Sequence, residues 1–339
     1  MEKEGACVKK IRISFADYKR PFNPEDNLIL DLLRRRYEVE FCDKPDFVID
    51  IGLGHKYVED EGSVKILVNG ENNHPDFNFF DYAAGSDDIS FGDRYYRMPH
   101  FAMYRDFGRM APVNPLSDDE LLNRGFCSFV VSRGTGRRGD PMRELFFNEL
   151  SKYKKVDSGG RYLNNIGGPV HDKLEFCRRY KFHIAFENSS SPGYTTEKLM
   201  QAFCADTLPI YYGNPDVGKD FHPEAMVLVR DMDDVKRAID EIIRLDKDDA
   251  AYLQRCRQAR LVHTREWYVE GFADFLYSIF DREPTDARRV CAYGHIANYR
   301  KHIRKLYGYA SLVKAPERAL RAARDIIMRG MGRMGCKRG

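Results

Sequence analysis

The stretch FHIAFENSSSPGYTTEKLMQAFCADTLPIYYG, Phe182 to Gly213, decides the fold. It opens on an apolar strand, FHIAF, passes through a turn rich in Ser, Pro and Gly, and enters a helix read from Tyr194. It closes on a second strand, LPIYYG, Leu208 to Gly213. Strand, helix and strand in that order predict a parallel pair with a crossover helix. The same series starts earlier, with FCSFVVS from Phe126 to Ser132 and a helix from Met142 to Tyr153.

Another series precedes it. KIRISF (Lys10 to Phe15), a helix candidate from Glu25 to Arg36, DFVIDIG (Asp46 to Gly52) and KILVNG (Lys65 to Gly70) alternate in the same way. After Tyr82 the pattern dissolves into the aromatic, charged segment FGDRYYRMPHFAMYRDFGRMAPVNPLSDDE, which reads as loop and linker and ends near Asp118. Two α/β series joined by one linker place a ligand between them, at the carboxyl ends of the strands. The fold class expected is therefore α/β, with two facing Rossmann-like domains. The boundaries expected are 1–122 and 123–283 for the domains and 284–339 for a basic, helix-like tail. From Asp233 to Phe280 the period is helical, with Val235, Ala238, Ile239, Ile242 and Ile243 on one stripe.

Composition agrees with two packed domains: the chain has 339 residues, of which 43% are hydrophobic and 32% charged. The start carries charges throughout, without the apolar run of a signal peptide, and no later run approaches the ~18 apolar residues of a spanning helix. A cytoplasmic protein is the expectation. Cys7, Cys42, Cys127, Cys177, Cys204, Cys256, Cys291 and Cys336 are scattered with no CxxC pair, which suggests neither a zinc site nor a disulfide framework. The net charge is +3, yet Asn298 to Gly339 holds twelve Lys or Arg against Glu317 and Asp325, a local +10 that leaves −7 on the rest. In that tail Leu320, Ala323, Ile327 and Met328 face away from several arginines. Such a stretch suits peripheral contact with an anionic membrane surface; a solvated terminus is the other reading.

Candidate site residues cluster in three segments. In FENSSSPGYTTEKL, Tyr194, Glu197 and Lys198 fall at i, i+3 and i+4, so on a helix they share a face. Glu197 can accept from ribose hydroxyls, Lys198 can neutralise phosphate, and the helix start can offer N–H groups to an anion. An ordinary amphipathic first turn has the same spacing. The basic loop SRGTGRRGDPMR, Ser132 to Arg143, can approach phosphate with an arginine, although it lacks both GxGxxG and the Walker pattern. In NGENNHPDFNFFDYAAG, Glu71 follows the strand directly, where a carboxylate can act as general base toward a hydroxyl or simply close a turn.

Taken together, FEN…GYTTEKL…LPIYYG, GEN…PDFNFFDYAAGSDDISFGDRYYRMP and GFCSFVVS…MRELFFNELSKY resemble the bacterial and animal α-1,3/4-fucosyltransferases, glycosyltransferase family 10, from about Lys65 to Phe280. The resemblance implies the GT-B fold, with an acceptor domain first and a GDP-fucose domain second. It implies Glu71 as general base, Arg143 on the pyrophosphate, and Asn188, Tyr194, Glu197 and Lys198 on the nucleotide. It also implies an inverting transfer of fucose from GDP-fucose to an oligosaccharide acceptor such as N-acetyllactosamine. This chain departs from the family pattern at Thr195, where an apolar β-branched residue is common, and at Tyr212, where bacterial members often have Trp. It also lacks the C-terminal heptad repeats of some bacterial members.

Two other readings compete: a GT-B transferase for another nucleotide sugar, and a non-catalytic glycan-binding protein. No RRM, KH or helix-turn-helix pattern supports a nucleic-acid partner. RDMDD, Arg230 to Asp234, has the DxD spacing of metal-dependent GT-A transferases, but it follows a strand-like MVLV and opens a helix. It reads as a helix cap, and no metal cofactor is expected.

Overall fold

The structure is a computed structural model, and it describes residues 8–19, 21–58, 60, 62–132 and 140–310. Its first half holds six strands: β1 (Lys10–Ala16), β2 (Glu38–Phe41), β3 (Phe47–Asp50), β4 (Val64–Val68), β5 (Tyr82–Gly85) and β6 (Tyr95–Arg97). They form one parallel sheet in the order β2-β1-β3-β4-β5-β6. The second half holds β7 (Gly125–Phe129), β8 (Val156–Ser158), β9 (Tyr180–Phe186), β10 (Leu208–Tyr212) and β11 (Val227–Leu228). These are also parallel, in the order β11-β10-β9-β7-β8. Every residue of β4, VKILV, is buried, as a parallel strand covered on both faces requires. The two facing α/β halves expected from the sequence are present.

The helices are α1 (Leu28–Arg34), α2 (Asp118–Leu122), α3 (Met142–Tyr153), α4 (Lys173–Cys177), α5 (Glu197–Cys204), α6 (Val235–Lys247), α7 (Asp249–Cys256), α8 (Arg265–Phe280) and α9 (Pro284–Ala287). Helix α1 starts three residues later than its apolar pattern suggests, because the Asn27 side chain caps it by accepting the Leu30 N–H at 3.0 Å. On α6 the buried stripe is Val235, Ala238, Ile242 and Leu245, so Leu245 takes the place read for Ile243. Helix α8, grouped by the sequence with the second half, packs back on the first: the Phe280 ring lies 4.5 Å from Phe47 of β3, and the Tyr277 hydroxyl donates to the Leu32 carbonyl at 3.0 Å.

Two segments differ from their sequence reading. The stretch read as linker supplies β6 and three 3₁₀ turns, Gly92–Arg94, His100–Met103 and Arg105–Arg109. Met98, Phe101 and Phe107 anchor them, each at most 2% exposed, and single-turn elements are too short to show a period. The start of the tail also belongs to the fold. A helical run over 294–310 lies on the first half, with Tyr307 4.4 Å from the His55 ring, Tyr299 6.0 Å from Phe79, and Arg304 Nε donating to the Val58 carbonyl at 2.6 Å. Residues 311–339, with the apolar stripe read at Leu320 to Met328, lie outside the described residues. Among the described residues no helix is long and apolar enough to cross a membrane.

Candidate active site

In the second sheet the strand order turns between β7 and β9, the position where an open parallel sheet offers a crevice to a ligand. Phe186 ends β9 there, and the next residue, Glu187, is fully buried. The Glu187 carboxylate accepts the Thr196 N–H at 2.8 Å, the Thr196 hydroxyl at 2.7 Å and the Lys198 ammonium at 3.0 Å. A carboxylate therefore already sits at the start of α5, where the sequence reading leaves N–H groups free for a phosphate. It also sets where the helix begins. Gly193 turns at φ +81°, Tyr194 to Thr196 stay outside the helix, and Glu197 is its first residue. Tyr194 consequently shares no helix face with Glu197 and Lys198, contrary to the spacing argument. The Gly193 turn also touches the other half: a side chain here would come 2.0 Å from the Ser86 carbonyl oxygen.

The charges at this end are paired. Lys198 lies 3.0 Å from Glu187 and 3.3 Å from Glu197. Burial works against the ammonium, but the two carboxylates outweigh it and raise its pKa. Burial likewise pushes the Glu197 carboxyl up, yet the ammonium groups of Lys198 and Lys173 hold it down at about 2. Glu197 is thus a permanent acceptor, with the Tyr104 hydroxyl 3.5 Å from its Oε2.

Arg143 lies in the first turn of α3 and is 4% exposed. Its Nη2 donates to the Phe186 carbonyl at 2.9 Å, which brings it to the end of β9, while its Nε is buried without a partner. The neighbouring Asn188 has a buried, unpartnered Oδ1. Tyr194 is 4% exposed, and burial, then Glu187, raises its pKa. Of the loop before Arg143, residues 133–139 lie outside the described residues. Asp140 closes that loop by accepting the Met142 N–H at 2.9 Å and the Tyr212 hydroxyl at 2.7 Å. A Trp at 212 has no hydroxyl for that bond. Thr195 also uses its hydroxyl, accepting from Asn214 Nδ2 at 3.1 Å.

Glu71 stands across the cleft, on the turn after β4. The turn is closed by two bonds: the Glu71 N–H donates to the Asn69 side-chain Oδ1 at 3.0 Å, and the Asn73 N–H to the Glu71 carbonyl at 2.9 Å. The Glu71 side chain itself is exposed, and its carboxylate accepts no hydrogen bond from any described residue. Asn72 Nδ2 donates to Ser189 Oγ at 2.8 Å, tying the Glu71 turn to the loop that carries Asn188. Asn188, Arg143, Glu197 and Lys198 thus gather at the end of β9, and the Asn72–Ser189 bond brings the Glu71 turn to the same place, with Tyr194 in the turn beside them.

Sequence reasoning missed Glu187, His100 and Tyr104. Glu187 is in the quoted motif, but nothing in its spacing marks it as the partner of Lys198. The other two lie in the segment read as linker. At the DxD, Asp231 accepts the Asp234 N–H at 3.0 Å, and Asp234 accepts the Arg230 N–H at 3.0 Å and Arg237 Nε at 2.6 Å. Asp234 is the N-cap residue of α6, but its side chain makes no capping bond and is spent on Arg230 and Arg237. Among the described residues no group of three or more His, Cys, Asp or Glu could hold a metal ion.

Residues 13–104 match the family model for the alpha-(1,3)-fucosyltransferase FucT N-terminal domain, and residues 124–269 match the model for the glycosyltransferase family 10 (fucosyltransferase) C-terminal part. An alpha-(1,3)-fucosyltransferase FucT from Helicobacter pylori is 32% identical over 269 residues, which is 68% of this chain and 55% of the relative. An alpha-(1,3)-fucosyltransferase B from Drosophila melanogaster is 31% identical over 126 residues, 32% of this chain and 28% of the relative. The chain thus spans about half the length of the Helicobacter relative and less of the other. A crystal structure of an alpha1,3-fucosyltransferase with GDP-fucose superposes with a TM-score of 0.69 at 27% identity, covering 84% of this chain and 94% of its own.

Proposed function

This chain belongs to glycosyltransferase family 10, and we propose that it transfers L-fucose from GDP-β-L-fucose to a sugar hydroxyl with inversion at the anomeric carbon. Its fold is GT-B. The first half takes the acceptor and the second takes GDP-fucose. One observation carries the reading: the exposed Glu71 sits on a turn tied by Asn72 to the loop of Asn188, where, among the described residues, Arg143 Nε and Asn188 Oδ1 are buried without partners. Buried polar atoms are normally satisfied, so unmet ones at a cleft mark where a polar ligand completes the bonding.

In the step that follows from this arrangement, the acceptor oxygen attacks fucose C1, the bond from C1 to the phosphate oxygen breaks, and GDP leaves with the electron pair. The hydroxyl proton passes to Glu71. Arg143 and Lys198 stabilise the charge that grows on the departing GDP, while Glu197 holds the nucleotide by accepting its hydroxyls. Because Lys198 already balances Glu187 and Glu197, Arg143 is the less compensated cation and bears more of that task. O3 of N-acetylglucosamine in a β-galactoside chain such as N-acetyllactosamine is the acceptor position we infer, supported by the α-(1,3) linkage in the relatives' names. The chemistry above routes no step through a metal, and the basic tail supports peripheral contact with the inner face of the cytoplasmic membrane. The test is a donor and acceptor screen with product linkage assigned by NMR. GDP released from GDP-fucose and not from GDP-mannose, with an α-1,3 product, is expected; release from another nucleotide sugar alone overturns the donor.

A further inference from the structure

His100 occupies a position that the proposed chemistry leaves unused. It opens the second 3₁₀ turn of the segment read as linker, and its backbone N–H donates to Ser86 Oγ at 3.2 Å. The imidazole fills the space that a side chain at Gly70 would take: a Cβ there would fall 2.3 Å from Nε2, 2.6 Å from Cδ2 and 2.9 Å from Cε1. Gly70 directly precedes Glu71, so the ring presses on the backbone that carries the proposed base. On its other side the Tyr104 ring packs edge to face at 5.0 Å and 78°, and Tyr104 in turn reaches Glu197. His100 is therefore a physical spacer between the Glu71 turn and the Glu197 edge of the nucleotide site.

Its two nitrogens differ. Nδ1 is buried without a partner, whereas Nε2 is the atom turned toward Gly70. A buried N–H with no acceptor costs more than a buried lone pair, so the neutral ring carries its proton on Nε2. Burial favours that neutral form; the carboxylates of Glu197 and Glu71 favour the cation, and the ammonium of Lys198 opposes it.

We propose that His100 is a positioning residue for Glu71: its ring, packed against Gly70, sets how far the base stands from the nucleotide site. This rests on the fucosyltransferase reading above. The role requires glycine at 70, since any side chain there evicts the ring.

The test compares His100→Leu, His100→Gln, His100→Asn and Gly70→Ala, with kcat and KM for N-acetyllactosamine, GDP-fucose affinity and thermal stability measured on each. A glutamine amide reaches the place where Nε2 packs on Gly70; an asparagine amide reaches only as far as Nδ1. His100→Leu and Gly70→Ala are expected to lose about tenfold in kcat with GDP-fucose affinity within about twofold, the scale of a base moved slightly off its productive position. His100→Gln is expected to recover most of that loss, and His100→Asn is not. Unchanged kcat in His100→Leu overturns the proposal, as does recovery by Asn and not Gln. Loss in all four variants in proportion to lowered stability assigns His100 to the core instead and also overturns it. The wild type is the control for the underlying reading: if it transfers no fucose, that reading falls and the His100 role with it, whereas an active wild type with an indifferent His100→Leu removes His100 alone.

Discussion

Two glutamates, one on each half, sit in opposite physical circumstances. Glu71, on the first sheet, has a backbone locked by the Asn69 to Asn73 turn and a carboxylate exposed to solvent and bonded to nothing described. Glu187, on the second, is 0% exposed and accepts from the Thr196 backbone, the Thr196 hydroxyl and the Lys198 ammonium. A base needs an open lone pair and a fixed mount; Glu71 has both. A fully buried carboxylate that already accepts from three donors presents no open lone pair to substrate, and Glu187 instead fixes the start of α5 and the place of Lys198. In this cleft the free carboxylate is suited to chemistry and the saturated one to architecture.

Changing Glu71→Gln keeps the shape but removes the lone pair that takes the proton, so kcat is expected to fall by ~10²–10⁴ while GDP-fucose affinity and thermal stability hold. Rate and donor affinity read on one folded preparation check this; transfer within about threefold of wild type, far less than a lost general base implies, removes Glu71 from the mechanism.

Glu187→Ala makes the converse case. Removing one partner of a buried ion pair typically costs ~3–5 kcal/mol, so urea unfolding is expected to show a loss of that size together with weakened GDP binding. A stable variant with normal GDP affinity breaks the contrast between the two glutamates.

Glu197 sharpens the contrast through pH. Its folded carboxyl is held at about 2, below the ordinary 4.5, so its stabilising contribution is present above about pH 4.5 and is lost as pH falls toward 2. The stability gap between wild type and Glu197→Gln is expected to be on the order of 3 kcal/mol at neutral pH and to close across that window. A gap independent of pH from 2 to 7 means that Glu197 is not held as a low carboxylate.

For Arg143→Ala, loss of a charge-assisted contact worth ~1.5–3 kcal/mol predicts GDP binding weaker by about 10- to 150-fold, measured by calorimetry. Unchanged affinity in a folded variant dislodges Arg143 from the pyrophosphate. The smallest effect expected is from chelation. EDTA is expected to leave transfer unaltered, and a near-complete loss restored by manganese runs against a GT-B transferase in which Arg143 and Lys198 carry the leaving-group charge.

Much of the fold is readable before any coordinate. The alternation of β-branched runs with helical segments marks both parallel sheets, and the motifs around Glu71, Arg143 and Glu197 point to the residues that share the cleft, because strand and turn signals are local in sequence. What local pattern cannot carry is pairing across distance. The start of α5 is decided by Glu187, nine residues before Thr196, rather than by helix propensity at Tyr194. The return of α8 onto Phe47 and the docking of 294–310 beside His55 depend on which apolar surfaces remain uncovered once both sheets exist. His100 reaches the Gly70 turn only because parallel pairing sets β6 beside β5 and β5 beside β4. By itself, then, the sequence determined the two-sheet class and the family, and it singled out the candidate site residues. Tertiary structure alone decided which carboxylate is saturated, which is free, and what holds the free one in place, since those depend on neighbours that meet only after the chain has folded.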